Sequence, residues 1–208
     1  PDRPARAPSA ILVNQGSGYA LRVPGDAVDA WRFTDLVSRS GSIPDPAARV
    51  AMLGEALDLW RGSAMVEYAD QGWAVAEARR LTELRSIARE TLLSARLDCG
   101  ETAILGPDIE ALLDEEPLRE EPWRLLALAQ YRSHRQADAL ATLRRARQLL
   151  AEELGVDPGP ALRTLESEIL AQSETLAGPA PRLSTTAAPA VPSPRRAPRT
   201  PEAEDLVE

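Results

Sequence analysis

The segment "PLREEPWRLLALAQYRSHRQADALATLRRARQLLAEELGVDPGPALRTLESEIL", residues 117–170, decides the fold of this chain. Apolar residues recur in it at intervals of three and four, which is the pattern of helices that bury one face. Gly155 ends one helix and Asp157 with Pro158 starts the next, because glycine suits a helix C-terminus and aspartate and proline suit a helix start. The segment therefore predicts three helices joined by short turns.

The same pattern occurs one unit earlier in the chain. When residues 89–122 are placed over residues 123–156, apolar and turn positions coincide: Leu92 with Leu126, Ala95 with Ala129, Gly100 with His134, Ile109 with Leu143 and Leu112 with Ala146. This period of about 34 residues is that of the tetratricopeptide repeat, and Pro117, Trp123, Leu126, Ala139 and Ala146 match its pattern. The last helix, with Leu162, Leu165 and Ile169, is expected to cap the stack.

Three more helices are predicted upstream. Asp26 is a candidate N-cap for a helix that runs to about Ser40, and Asp45 followed by Pro46 starts a second helix that ends at Gly62. A long helix follows over about residues 73–98. We therefore predict an all-α, tetratricopeptide-like domain of about seven helices over residues 25–176.

The two ends of the chain differ from this helical body. Residues 11–23, "ILVNQGSGYALRV", alternate in polarity around two glycines and predict a β-hairpin with strands at 11–14 and 19–23. An isolated hairpin is only marginally stable in water, so it needs a neighbour to pack against. From Ala177 onward, seven prolines occur in 32 residues. We expect residues 177–208 to be a disordered linker, because this composition cannot form a core.

Composition and charge exclude several classes of protein. All 24 basic residues are arginine, and residues 25–176 carry 17 of them against 27 carboxylates, a formal charge of −10. Such a body repels the phosphate backbone and is a poor nucleic-acid binder on its own. No apolar run reaches the length of a membrane span. A single cysteine excludes an internal disulfide and fits a reducing interior, so we expect a cytoplasmic protein with no membrane association.

No arrangement of side chains indicates an enzyme, a metal site or a cofactor. His134, the only histidine, lies in a predicted turn without other ligands at metal spacing, and Cys99 lies near a helix end and is expected to be a buried small residue. Glu120 and Glu121 are explained by the dipole at a helix N-terminus. The four tryptophans, Trp31, Trp60, Trp73 and Trp123, are expected in the core, with an anchor for a partner protein as the alternative.

Three segments together resemble a known family. "VDAWRFTDLV" (28–37), "ALDLWRG" (56–62) and residues 117–170 are similar to the bacterial transcriptional activator domain, the helical module of the Streptomyces antibiotic regulatory protein family of transcription regulators. The dense match over "EELGVDPGPALRTLE" is its most specific part. The resemblance implies an activator of transcription, whose helical module follows a winged-helix domain that binds promoter DNA.

The resemblance also implies a role for the hairpin. Winged-helix domains of this type end in a β-hairpin, the wing, with Gly-x-Gly-Tyr at its turn, and residues 16–19 are similar to that signature. Residues 1–24 are then expected to be the end of a winged-helix domain. Asn14, Gln15, Ser17 and Arg22 are the candidate DNA contacts, although many relatives place an arginine at the tip of the turn. His134 is a second departure, because relatives usually have glycine there.

A partner-binding surface is expected on the helical body. Arg144, Arg145 and Arg147 form either a solvated face or a contact for DNA phosphate or an acidic segment of RNA polymerase. The resemblance further implies a possible homodimer. Two alternatives remain open: a tetratricopeptide-like scaffold that binds a peptide, and a sensor domain for a small ligand.

Overall fold

The computed structural model describes residues 10–178. Two strands form a hairpin, β1 Leu12–Gln15 and β2 Gly18–Leu21, and the following elements are helical. The α-helices in this part of the chain are α1 Asp29–Ser40, α2 Pro46–Leu57, α3 Gly72–Asp98, α4 Gly106–Glu115, α5 Glu120–Arg132, α6 Gln136–Leu154 and α7 Pro160–Leu170, with short 3-10 turns at Gly25–Ala27, Val66–Tyr68 and Glu174–Leu176. The predicted all-α fold with a preceding hairpin is confirmed.

Local sequence explains several helix ends. Asp45 caps α2 by accepting a hydrogen bond from the backbone N–H of Ala48 at 3.0 Å, with Pro46 at the first helical position. Gly155 ends α6 in the left-handed conformation, with φ of 67°. These positions satisfy backbone groups that a helix end leaves unpaired. The predicted ends at Asp45 and Gly155 are confirmed.

Three other predicted helix ends are wrong. Asp26 does not cap α1, because it lies in a 3-10 turn and the extended residue Val28 separates that turn from the helix. Helix α2 ends at Leu57 rather than at Gly62. Helix α7 begins after Gly159, whose backbone N–H donates to Glu120 Oε2 at 2.7 Å. That contact from another helix sets the start of α7, and Asp157 has no part in it.

The repeat predicted from the 34-residue offset is present as two helix pairs, α3–α4 and α5–α6. Paired apolar positions are buried in both, including Ala95 with Ala129 and Ile109 with Leu143. The paired turn residues also share a conformation, since φ is 85° at Gly100 and 61° at His134. His134 therefore adopts the left-handed backbone of its glycine counterpart, and its predicted position in a turn is confirmed. Helix α7 covers the end of the stack with Leu162, Leu165 and Ile169, all of which are buried.

The core consists of two hydrophobic clusters joined by α3. The larger one lies among α4, α5, α6, α7 and the C-terminal part of α3, and the smaller one among α1, α2 and the middle of α3. Trp123 is buried in the first cluster, and Trp60 packs against the second, where its ring meets Phe33 edge to face at 5.3 Å. The expectation of a core position is wrong for Trp31 and Trp73, which are 53% and 63% exposed.

The hairpin has one half-buried and one exposed face. Its register pairs Val13 with Ala20, which are half-buried, and Leu12 with Leu21, which are exposed. The predicted hairpin is confirmed, with strands shifted or shortened by one or two residues. Residues 1–9 and nearly all of the linker predicted over 177–208 lie outside the described residues.

Candidate functional site

The arginines predicted to contact a partner lie on α6. The buried stripe of this helix is Ala139, Leu143, Ala146 and Leu150. Arg144, Arg145 and Arg147 fall between these positions and are exposed. Because successive residues are rotated by about 100° on a helix with 3.6 residues per turn, the three side chains leave α6 in different directions.

The three guanidinium groups consequently have different surroundings. Arg147 forms an ion pair with Glu166 of α7, with 2.6 Å between its nitrogen and the carboxylate oxygen. Arg145 lies over the ring of Trp123 in α5, with its guanidinium carbon 5.4 Å from the ring centroid. Arg144 has no hydrogen bond or ion pair with any residue between 10 and 178. The structure therefore divides the predicted cluster, and Arg144 remains available to an external anion.

Arg145 borders a groove of about 550 Å³ between α4, α5 and α6, called the α4–α6 groove below. Its apolar floor is formed by Leu113, Pro117, Trp123, Leu126 and Leu149, and its polar walls by Glu110, Asp114, Arg145, Gln148 and Glu152. The indole N–H of Trp123 donates to the carbonyl oxygen of Pro117 at 2.8 Å, which fixes the ring in the floor. The groove combines an apolar surface with an excess of negative charge.

The residues predicted for DNA contact occupy both ends of the hairpin. Asn14, Gln15 and Ser17 lie together at the turn, where Gly16 adopts a φ of 58° and Gln15 pairs with Gly18. Arg22 lies at the opposite end, where its backbone N–H donates to the carbonyl oxygen of Ile11. With about 3.3 Å per residue along a strand, some 13 Å separate it from the turn. The structure brings together three of the four candidates.

An ion-pair network that the sequence analysis missed joins α3 to the connection between α4 and α5. Arg119 bonds Glu90 at 2.6 Å, Glu83 at 2.8 Å and Glu116 at 3.3 Å. The hydrogen bonds that Arg119 donates to Glu90 raise the pKa of Arg119 above its ordinary value, against the opposing effect of burial. The network links α3 of the first repeat to the N-cap of α5, where the second repeat begins.

The two side chains considered for nucleophilic or metal chemistry both lie next to helix ends. Cys99 caps the C-terminus of α3, and His134 lies in the turn between α5 and α6. Between residues 10 and 178, no group of three or more His, Cys, Asp or Glu side chains is arranged to hold a metal ion. No helix in the same range is long and apolar enough to cross a membrane.

Comparison with known proteins identifies the family. The model of the bacterial transcriptional activator domain matches residues 28–170, from the start of α1 to the end of α7. The chain belongs to this family. The match spans both hydrophobic clusters apart from Leu176 and excludes the hairpin, so the resemblance seen in the sequence is confirmed for the helical body.

Several regulatory proteins are similar to this chain. The regulatory protein AfsR of Streptomyces griseus is 39% identical over 81% of this chain and 18% of its own length. The transcriptional regulator RedD of Streptomyces coelicolor is 38% identical over 85% of this chain and 51% of its own length. The chain thus spans about half or less of these curated relatives, which contain further sequence.

A solved structure shares the fold. The structure of Mycobacterium tuberculosis EmbR in complex with a low affinity phosphopeptide is 34% identical, with a TM-score of 0.71 over 78% of this chain and 44% of that one. EmbR is also named a transcriptional regulatory protein. The relatives AfsR, RedD and EmbR are therefore regulators by name, and none of these names describes an enzyme.

Proposed function

We propose that residues 25–176 form the activating module of a transcription regulator. In this proposal the module contacts RNA polymerase and stabilises the binding of promoter DNA by an adjacent winged-helix domain. The observation that carries the proposal is the family match over residues 28–170, together with relatives that are named transcriptional regulators. The division of the chain at residues 24 and 176 is part of the same proposal.

The surface of α6 is the proposed contact for polymerase. Arg144 is exposed and has no ion pair within residues 10–178. A carboxylate of a partner protein can therefore bind Arg144 without displacing a carboxylate of the described chain. Arg145 is already placed against Trp123, which reduces the loss of side-chain freedom on binding. Arg147 is a weaker candidate because Glu166 already neutralises it.

The hairpin is the proposed wing of the DNA-binding domain. Its turn presents Asn14, Gln15 and Ser17, which can donate hydrogen bonds to phosphate or groove atoms. The face with Tyr19 and Leu21 is exposed at 77% and 61%, which suits packing against further protein. These features support a hairpin that functions as part of a larger unit.

Self-association of the helical module is proposed through its exposed aromatic residues. Trp73 at the start of α3 is exposed and its ring lies 5.4 Å from that of Tyr68, which is also exposed. Aromatic side chains of this kind are enriched in protein interfaces. Light scattering on the full chain tests this, because Trp73→Ser should lower the dimer fraction without altering the helical content. An unchanged dimer fraction would refute this interface.

An artificial recruitment assay tests the activator proposal. The full chain is fused to an unrelated DNA-binding domain whose operator lies upstream of a core promoter, and transcription is measured with purified RNA polymerase. We expect the fusion to raise transcription, and Arg144→Ala to remove most of that increase. Arg79→Ala is the matched control, since Arg79 on α3 is also exposed and has no ion pair within residues 10–178.

Footprinting with the same fusion separates the outcomes. If polymerase extends the protected region only when the chain is present, the module contacts polymerase. If protection and transcription are identical with and without the chain, the activator proposal is wrong.

A second candidate function, sensing of a small ligand, is favoured by a groove of about 610 Å³ beside α1. It is lined by Phe33, Leu59, Trp60, Met65 and Tyr68 among others, and the buried indole N–H of Trp60 has no hydrogen-bond partner. A ligand oxygen could accept that bond. A panel of uncharged aromatic metabolites should then raise the melting temperature of the chain but not of Trp60→Phe. If no compound of the panel raises the melting temperature of the chain, the proposal of a sensor function is wrong.

A further inference from the structure

The α4–α6 groove has an excess of negative charge that no residue between 10 and 178 neutralises. Glu110 and Asp114 form no ion pair there, and Glu152 accepts only a hydrogen bond from Gln148 at 2.9 Å. Glu110 and Asp114 are also one helical turn apart, and like charges at that spacing destabilise a helix. Arg145 is the single cation in the lining and leaves a net charge of −2. A cationic occupant would relieve this repulsion.

The floor of the groove indicates what else the occupant should carry. Leu113, Trp123 and Leu126 are buried in the lining. Pro117 is exposed and Leu149 is half-buried, so these two supply most of the apolar surface that an occupant can contact. A segment that combines positive charge with small apolar or proline residues fits both features. Prolines reduce the entropy lost on docking, and aromatic-lined grooves bind proline-rich segments in other proteins.

The chain itself contains such a segment. Residues 177–201 include four arginines and no carboxylate, and three of the arginines, Arg195, Arg196 and Arg199, lie within the run "PRRAPR" at residues 194–199. This run is next to a helical body with a formal charge of −10. We propose that residues 194–199 dock in the α4–α6 groove of their own chain, with their arginines against Glu110, Asp114 and Glu152.

The connection is long enough to reach the groove. Leu176 is buried in the larger cluster, and its carbonyl oxygen accepts a hydrogen bond from Arg132 Nε at 3.2 Å. The chain therefore leaves the body beside the end of α5, and nine residues of that helix, about 14 Å, separate Arg132 from Trp123 in the groove. The 17 residues from Gly178 to Arg195 can span up to about 56 Å. A covalent tether of this length supplies an effective concentration in the millimolar range.

Docking would cover part of the surface on α6. Arg145 forms one wall of the groove, so the docked segment would shield it from other molecules. The segment then acts as an internal competitor for any partner that uses Arg145. The docking contact itself does not depend on the proposed role in transcription, and its test needs no polymerase.

The test compares nuclear magnetic resonance spectra of full-length chains. The indole N–H signal of Trp123 and the backbone amides of Glu110 and Asp114 report on the groove. We expect the triple variant R195S/R196S/R199S to shift these signals, and we expect about 0.5 M salt to shift the wild type toward the same positions, since charge attraction is screened there. The matched control R22S/R79S/R163S removes the same charge from exposed arginines elsewhere and should leave them in place.

Two results would overturn the proposal. Identical groove signals in the wild type and in R195S/R196S/R199S at low salt would mean that the segment does not occupy the groove, which is then open to another molecule. Shifts that grow with protein concentration would mean that the segment docks on a second copy. As an independent check on the groove side, E110Q/D114N should reproduce the effect of salt on the amides of residues 194–199.

Discussion

Arg119 bonds Glu90 through two of its nitrogens, Nε to Oε1 at 2.6 Å and a terminal nitrogen to Oε2 at 3.2 Å. The two residues are 29 positions apart and connect the N-cap of α5 to the middle of α3. The side chain of Glu90 is 10% exposed, so its charge is largely removed from water. The pair therefore aligns the second repeat on the first through a bidentate contact of fixed geometry.

Loss of the Arg119 side chain is expected to destabilise the fold. Arg119→Ala leaves the buried carboxylate of Glu90 without its partner, and breaking a buried pair in this way costs about 3–5 kcal/mol. Chemical denaturation followed by circular dichroism measures the change in unfolding free energy.

Arg80→Ala is the matched control for Arg119. Arg80 also bonds a glutamate, Glu77, through two nitrogens, but both side chains are well exposed. The loss there should stay within about 0.5 kcal/mol. Equal losses in the two variants would show that burial of Glu90 does not decide the strength of its contact.

The turn between α5 and α6 is expected to gain stability from glycine. His134 adopts a φ of 61°, a conformation that glycine occupies without strain. His134→Gly should raise the unfolding free energy by about 1 kcal/mol. Gly155→Ala should lower the unfolding free energy by a similar amount, because Gly155 has a φ of 67°. An added Cβ would meet no atom within 4 Å, so the loss comes from the backbone conformation and not from a clash. Changes of the same sign in both variants would contradict the backbone argument.

The ion pair between Arg89 and Glu115 makes part of the stability depend on pH. Hydrogen bonding by Arg89 lowers the pKa of Glu115 in the folded chain. A carboxyl group with a lower folded pKa stabilises the fold above its unfolded pKa, about 4.3, and this contribution is lost as the pH falls through the folded pKa. At neutral pH the unfolding free energy of the wild type should therefore exceed that of Glu115→Gln. The difference should not be larger than about 1 kcal/mol, because Glu115 is largely exposed.

Denaturation series across pH check this expectation. The two unfolding free energies should converge as the solution is acidified below the ordinary range of glutamate. Glu153→Gln serves as the control, since Glu153 lies exposed near the end of α6 and has no ion pair within residues 10–178 to lose. A difference between wild type and Glu115→Gln that stays constant with pH would refute the assignment.

The repeat region could be predicted from the sequence because its pattern is local. Ala129 and Ile109 lie on stripes of three and four residues, and Gly100 and His134 mark the same turn in both repeats. The buried faces of the N-terminal helices were harder to predict from the sequence, because tertiary packing decides which face of each helix is buried. In α1 it is Phe33 that meets Trp60, while Trp31 lies on the outer side.

The candidate site could be predicted only in part. The arginines on α6 are close together in sequence, but they lie on different sides of the helix. Arg145 contacts Trp123, and Arg147 contacts Glu166. The network around Arg119 could not be read locally, because Glu83 and Glu90 are 36 and 29 residues away. The only sequence signal was an arginine among four glutamates at 115–121.

The helical module is expected not to bind duplex DNA by itself. Residues 25–176 carry 17 arginines against 27 carboxylates, and eleven of those arginines already form ion pairs with carboxylates of the same module. Non-specific DNA binding needs unpaired cations that displace counterions from phosphate. A gel-shift assay with micromolar protein at physiological salt should therefore show no retarded band, with or without Arg144→Ala. A band that weakens as salt rises would refute this expectation, and loss of the band in Arg144→Ala would place the DNA contact on α6.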